Sequence, residues 1–164
     1  MRFGKFLVIK IFFILLNSHL FFNISKANSA EEIKITYNIF SRTIKVDSLK
    51  KFAQEGNSTR RLKRILKATG SSDEEIRSVL NSDFEMPITI ASKLVYSEIG
   101  NVFLTRLSSI IHPPRADDER TGMIALRASV IQGILIGNGK INLINFFEGY
   151  PTKTVILDVN ALSK

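Results

Sequence analysis

At 164 residues, 45% hydrophobic and 23% charged, the chain has the length of one domain and an ordinary globular composition. It holds no cysteine, which excludes disulfides, thiolate metal sites, a cysteine nucleophile and a lipidated cysteine. The net charge of +8 invites a nucleic-acid reading, but Arg2, Lys5, Lys10 and Lys26 fall in the first 30 residues and no acid does. The remainder sets nineteen basic against fifteen acidic side chains, +4, and nucleic acid is set aside as a partner.

Residues 1–30 read as an export signal. Arg2 and Lys5 form the positive start, Phe6 to Leu16 form an apolar run broken only by Lys10, and small residues follow at Ser25, Ala27, Ser29 and Ala30. Cleavage falls near 27–30 and delivers a soluble protein to the periplasm or thylakoid lumen. The alternative is an uncleaved anchor, since Leu20, Phe21 and Phe22 extend the apolar run. Residues 31–164 then form a single domain.

Ile33, Ile35 and Tyr37 alternate with Lys34 and Thr36, as in a half-buried strand. A second alternation at 43–46 makes a hairpin with Phe40 and Ser41 in its loop. Asp47 is expected to cap a helix starting at Ser48, with Leu49, Phe52 and Ala53 on one face and Gly56 as its stop. A helix over 58–68 points Leu62, Ile65 and Leu66 inward and Arg60, Arg61, Lys63, Arg64 and Lys67 outward. Those cations suit anionic lipid headgroups or a phosphorylated ligand. The plainer expectation is a solvated face whose cations meet Asp73, Glu74 and Glu75 on the next helix, 72–80.

Pro87 suits the start of a helix over 88–95. Ser97 caps another, in which Ile99, Val102, Phe103, Leu107, Ile110 and Ile111 recur near the helical period until His112-Pro113-Pro114 ends it. The polar stretch 115–120 leads into the segment around which the domain is organised, Glu119 to Pro151. From Met123 to Ile136 only Arg127 and Gln132 carry charged or amide groups, so apolar residues surround the helical wheel and a buried central helix is expected. Gly137-Asn138-Gly139 ends it short of the roughly 20 apolar residues a membrane span needs. A short helix around Leu143, Phe146 and Phe147 and a closing strand over 154–159 complete the chain.

The segments ALRASVIQGI, NLINFFEGYPT and TVILDVNAL, preceded by RTIKVDSLKKFAQEG and FEMPITIASKLVYSEIG, resemble a cyanobacterial domain of unknown function that precedes α/β-hydrolase domains in lipase- or esterase-type proteins. The resemblance runs from about Ile33 to Leu162 and rests on spaced apolar and turn positions, with no catalytic motif. It implies a stand-alone exported domain whose hydrolase is encoded elsewhere.

The chemistry of a hydrolase can be sought directly. An α/β-hydrolase needs a G-x-S-x-G elbow followed by an acid and a histidine, and no such pentapeptide occurs. Ser108 precedes His112 by four residues, a spacing at which helical side chains meet, and Asp117 or Asp118 could orient the ring. Nothing around them resembles an oxyanion nest, so no catalytic residue is assigned. Asp117, Asp118 and Glu119 lack the loop spacing of a calcium site, and Gly137-Asn138-Gly139 lacks the lysine and hydroxyl of a phosphate loop, so no metal or cofactor is assigned either.

The expected architecture is α+β, mainly α: five to seven helices around 123–136, with the hairpin and closing strand in one small sheet and the termini close together. The expected role is a non-catalytic domain that binds or regulates a separate α/β-hydrolase or a lipid, with Arg127, Arg60, Arg61 and Arg64 as ligand or partner residues. The alternative is a small esterase or lipase in its own right. Arg127, the lone charge on the central helix, is expected to pair with Glu148 or Asp158 or to face an anionic ligand.

Overall fold

The computed structural model describes residues 29–116 and 118–163. The export-signal reading lies almost entirely outside these residues, as does Asp117. The hairpin is β1 (Glu32–Tyr37) and β2 (Phe40–Lys45), paired antiparallel. Its turn is only Asn38-Ile39, because Asn38 takes a left-handed φ of 49° that a two-residue turn requires. Phe40 and Ser41 are therefore the first residues of β2 and not loop.

Helix α1 (Val46–Glu55) begins two residues earlier than expected. The Val46 N–H donates to Glu31 O, and Asp47 lies inside the first turn, paired with Lys51 at 2.9 Å. Gly56, at φ 76°, closes the helix. The carbonyls freed at its end are taken by the next hairpin of helices: Arg77 donates to Ala53 O and Gln54 O, and Asn81 donates to Ala53 O at 2.8 Å.

Helix α2 (Arg60–Lys67) is capped by Thr59, whose hydroxyl accepts from the Leu62 N–H. Helix α3 (Asp73–Leu80) opens on a reciprocal capping box between Ser72 and Glu75. A two-residue strand, β3 (Phe84–Glu85), precedes α4 (Ile88–Val95), and Ser97 caps α5 (Glu98–Ser108) as its position suggested. Next come β4 (Ile111–His112), α6 (Glu119–Ile136), β5 (Lys140–Ile141), α7 (Leu143–Glu148), β6 (Thr154–Asp158) and a 3-10 turn over Val159–Ser163.

The main sheet is mixed, in the order β2-β1-β6-β4, with β1 and β6 parallel and the other pairs antiparallel. Hairpin and closing strand thus share one sheet, and the domain is α+β, mainly α, as its pattern implied. The parallel register sets Glu32 beside Thr154 and Thr36 beside Asp158. The start of the described chain therefore lies at one end of the strand pair and the 3-10 turn at the other, so the expectation of adjacent termini fails. Ile33, Ile44 and Val155 are buried on one face of the sheet; Lys34, Thr36, His112 and Asp158 lie on the other.

Helix α6, 18 residues long, is central. Its close-packed sides are built from small residues: Gly122, Ala125, Ser129 and Gly133 are buried together with Leu126 and Ile134. A Cβ added to Gly122 would lie 2.8 Å from Ser108 Cβ, and one on Gly149 would lie 2.6 Å from Gly133 N and 2.8 Å from Ser129 O, so α5 and the end of α7 approach at backbone distance. The third side is open, and Ile124 and Leu135 are 52% and 53% exposed. The wheel is apolar all round, but small residues decide which arcs face neighbours, and the helix is not buried on every side.

Among the described residues no helix is long and apolar enough to cross a membrane. Tyr150 is fully buried beside Phe146 and its hydroxyl has no hydrogen-bond partner among the described residues; burial pushes its phenol well above the usual tyrosine range. An unpartnered buried hydroxyl carries its desolvation cost uncompensated. Tyr150→Phe is therefore expected to stabilise the domain by about 1 kcal/mol, read as a higher urea midpoint at unchanged m-value. A lower midpoint would mean that the hydroxyl is satisfied.

Candidate functional site

Ser108 and His112 are separated by the end of α5. Ser108 is buried where α5 crosses α6, and its hydroxyl donates to Thr105 O at 2.7 Å. His112 lies in β4 on the opposite, outer face of the sheet, with Nδ1 3.0 Å from Pro113 O. The four-residue spacing brings side chains together only while the helix continues, and this one stops at Ser108. Asp118 caps α6: the Thr121 N–H donates to its Oδ1 at 2.6 Å and holds the carboxyl below its ordinary value. Among the described residues no three His, Cys, Asp or Glu side chains are grouped to hold a metal ion.

His112 has an acid nearby. Burial pushes the Asp158 carboxyl up, but hydrogen bonds from the Asn160 N–H and side-chain amide, with the charge of His112, bring it below its ordinary value.

Arg127 is half-buried and makes no ion pair among the described residues. Glu148 is held by Lys50 at 2.7 Å and Asp158 by Asn160, so both expected partners are engaged elsewhere. Arg127 instead reaches the α4–α5 corner. Its Nε donates to Val95 O at 2.9 Å, its Nη2 to Asn101 Oδ1, and its guanidinium lies 4.8 Å from the centre of the Tyr96 ring. The last carbonyls of α4 supply the negative end of a helix dipole, which stands in for the missing carboxylate.

The cations of α2 are arranged differently. Leu62 and Leu66 are buried, while Arg60, Arg61, Lys63, Arg64 and Lys67 are all exposed. The expected acids do not meet them: Glu75 is occupied with the Ser72 N–H, and among the described residues none of the five cations lies in an ion pair. Arg64 and Lys67 in the last turn favour the helix dipole. Arg61 also borders a depression of about 520 Å³ between α2 and β2, shared with Lys45, Thr43 and Glu32. The helix thus presents five positive charges to solvent with no ion-pair partner among the described residues.

A second feature was invisible in the sequence. The β3–β5 ribbon joins Phe84 to Ile141 and Glu85 to Lys140, and Asn142 donates to Asp83 Oδ1 at 2.7 Å. With Val79, Leu143 and Phe146 this ribbon lines an apolar groove of about 470 Å³. Two-residue strands carry no periodicity, and the only hint was an aromatic residue, Phe84, between the helices expected over 72–80 and 88–95.

No curated protein and no solved structure matches the chain. A family model does match, over residues 29–158, which takes in the four-stranded sheet and all seven α-helices of the described residues. The chain accordingly belongs to the family described as alpha/beta hydrolase of unknown function (DUF1400).

Proposed function

We propose that this is an exported, non-catalytic domain that holds on to an anionic lipid surface through α2, in the service of an α/β-hydrolase. The observation that carries the reading is the set of five exposed cations on one helix without an ion-pair partner among the described residues. Each Lys or Arg near an anionic membrane contributes about 1 kcal/mol. Five together give on the order of 5 kcal/mol, enough for reversible attachment and too little for a permanent anchor. Because Leu62 and Leu66 are committed to the core, α2 adds no apolar insertion of its own, and attachment through it is electrostatic and falls with salt.

Co-sedimentation with phosphatidylcholine vesicles containing 30 mol% phosphatidylglycerol, roughly the anionic content such attraction needs, tests this. Binding is expected with these vesicles and not with pure phosphatidylcholine, and the Arg60→Glu, Arg61→Glu, Arg64→Glu triple variant is expected to lose at least tenfold. Equal binding to both vesicles, or an unaffected triple variant, would overturn the reading.

The second reading is a small esterase in its own right, in a family described as alpha/beta hydrolase of unknown function. Turnover of chromogenic esters, with fluorophosphonate labelling that disappears in Ser108→Ala or His112→Ala, would replace the binding reading with that one.

A further inference from the structure

Helix α5 packs inside out relative to its composition. Gly100, Leu104 and Ser108 face the core, Gly100 against the Leu94 carbonyl and Ser108 against Gly122 of α6, and the larger apolar side chains point to solvent. Ile99 is 79% exposed, Val102 58% and Phe103 62%. Glu98 and Arg106 sit at the two ends of this strip, and with the three apolar residues they line an open depression of about 470 Å³. Neither charge has an ion-pair partner among the described residues.

We propose that this face is a homodimer interface in which α5 packs antiparallel against α5 of a second copy about a two-fold axis through Val102. The spacing makes the surface complementary to itself. Glu98 and Arg106 lie four residues before and four residues after Val102, about 6 Å either way along the helix. Turning a second α5 around an axis at Val102 brings Glu98 of each copy to Arg106 of the other, sets Val102 against Val102, and places Ile99 beside Phe103 with an offset of about 3 Å along the helix. A two-fold interface must be its own complement, and a strip with an acid at one end, a base at the other and an apolar centre meets that condition. A bilayer would be offered the acid as well as the base, and Glu98 opposes insertion into an anionic surface.

The area sets the strength. Three half- to four-fifths-exposed apolar side chains offer on the order of 350 Å², well under the ~800 Å² per partner of a standard interface. The dimer is therefore weak and reversible, with a dissociation constant on the order of 10–100 µM. It rests on α5 and is independent of the lipid reading, which rests on α2.

Sedimentation equilibrium of the protein purified from cells expressing the full chain, run from about 5 to 300 µM to bracket that constant, tests the proposal. A monomer–dimer equilibrium is expected. Glu98→Arg and Arg106→Glu, each of which sets like charges against each other twice, are expected to weaken it at least tenfold. The Glu98→Arg, Arg106→Glu double variant re-creates both pairs and is expected to recover to within about threefold of the parent. Val102→Asp on the axis is expected to leave a monomer with an unchanged circular dichroism melt. A parent that stays monomeric throughout, a dimer indifferent to the single reversals, or a double variant weaker than either single overturns the two-fold α5 contact. Val102→Asp lowering vesicle binding in a monomeric parent would assign the strip to a membrane instead.

Discussion

Gly100→Ala is expected to lower the melting temperature by about 10 °C, although alanine is the better helix former by about 1 kcal/mol. A Cβ at this position would lie 1.9 Å from Leu94 O and 3.0 Å from Leu94 C. No rotamer relieves a clash of Cβ with backbone, so the carbonyl must move. That carbonyl accepts from the Ser97 N–H and from the Ser97 hydroxyl at 2.7 Å, and the same hydroxyl accepts from the Gly100 N–H. The corner between α4 and α5 is therefore one closed set of hydrogen bonds with no room for a methyl group. Overpacking of this kind costs about 3 kcal/mol, close to the change in midpoint given above for a domain of this size. Gly70→Ala is the control: nothing lies within 4 Å of its Cβ position, but φ is +77°, so only backbone strain of about 1 kcal/mol is expected. A thermal melt in which Gly100→Ala matches the parent would show that the corner relaxes freely.

The contrast between these glycines explains how much of the fold was legible. Caps and stops are local: Ser97 and Gly56 each announce a helix boundary from three or four residues of sequence, and each was found there, whereas Asp47 fell inside the first turn of its helix and not at the cap. The strands β1 and β6 were legible because a strand pattern over five or six residues is a local signal too, whereas β2 was legible only from Thr43 and its first residues, Phe40 and Ser41, read as loop. Which side of a helix faces inward is not local when small residues decide it. On α5 the apolar period pointed to Ile99, Val102 and Phe103, while the α4–α5 corner selected Gly100 and close approach to α6 selected Ser108, with Leu104 between them. On α6 the same competition left Ile124 and Leu135 at the surface. The β3–β5 groove depends on pairing residues 84–85 with 140–141, a contact between positions more than fifty residues apart, and no two-residue pattern specifies that. The outward direction of the α2 cations was legible; their lack of ion-pair partners among the described residues was not, because Glu75 had a closer use in its own helix cap.

Arg127 shows the same limit in its energetics, and a double-mutant cycle with Asn101 is expected to reveal it. A lone guanidinium on an apolar helix was expected to need a carboxylate, but Val95 O, Asn101 Oδ1 and the Tyr96 ring divide that task. Hydrogen bonds made by a charged group contribute about 1.5–3 kcal/mol, and an exposed cation–π contact about 0.5–1 kcal/mol. Arg127→Met is therefore expected to cost about 2–3 kcal/mol in urea unfolding, the aliphatic part of the contact being kept. Arg127→Lys keeps the charge but loses the planar fork that reaches Val95 and Asn101 together, so it is expected to recover less than half of that loss. Asn101→Ala alone is expected to cost about 1 kcal/mol, and the double variant with Arg127→Met less than the sum by about 1 kcal/mol, because the two changes remove one shared hydrogen bond. Glu148→Gln, which disturbs the Lys50 pair on another helix, is expected to add to Arg127→Met within about 0.5 kcal/mol. Coupling larger than that to Glu148, with none to Asn101, would return Arg127 to an ion pair and displace the account in which the carbonyl end of α4 holds the central helix to the α4–α5 corner.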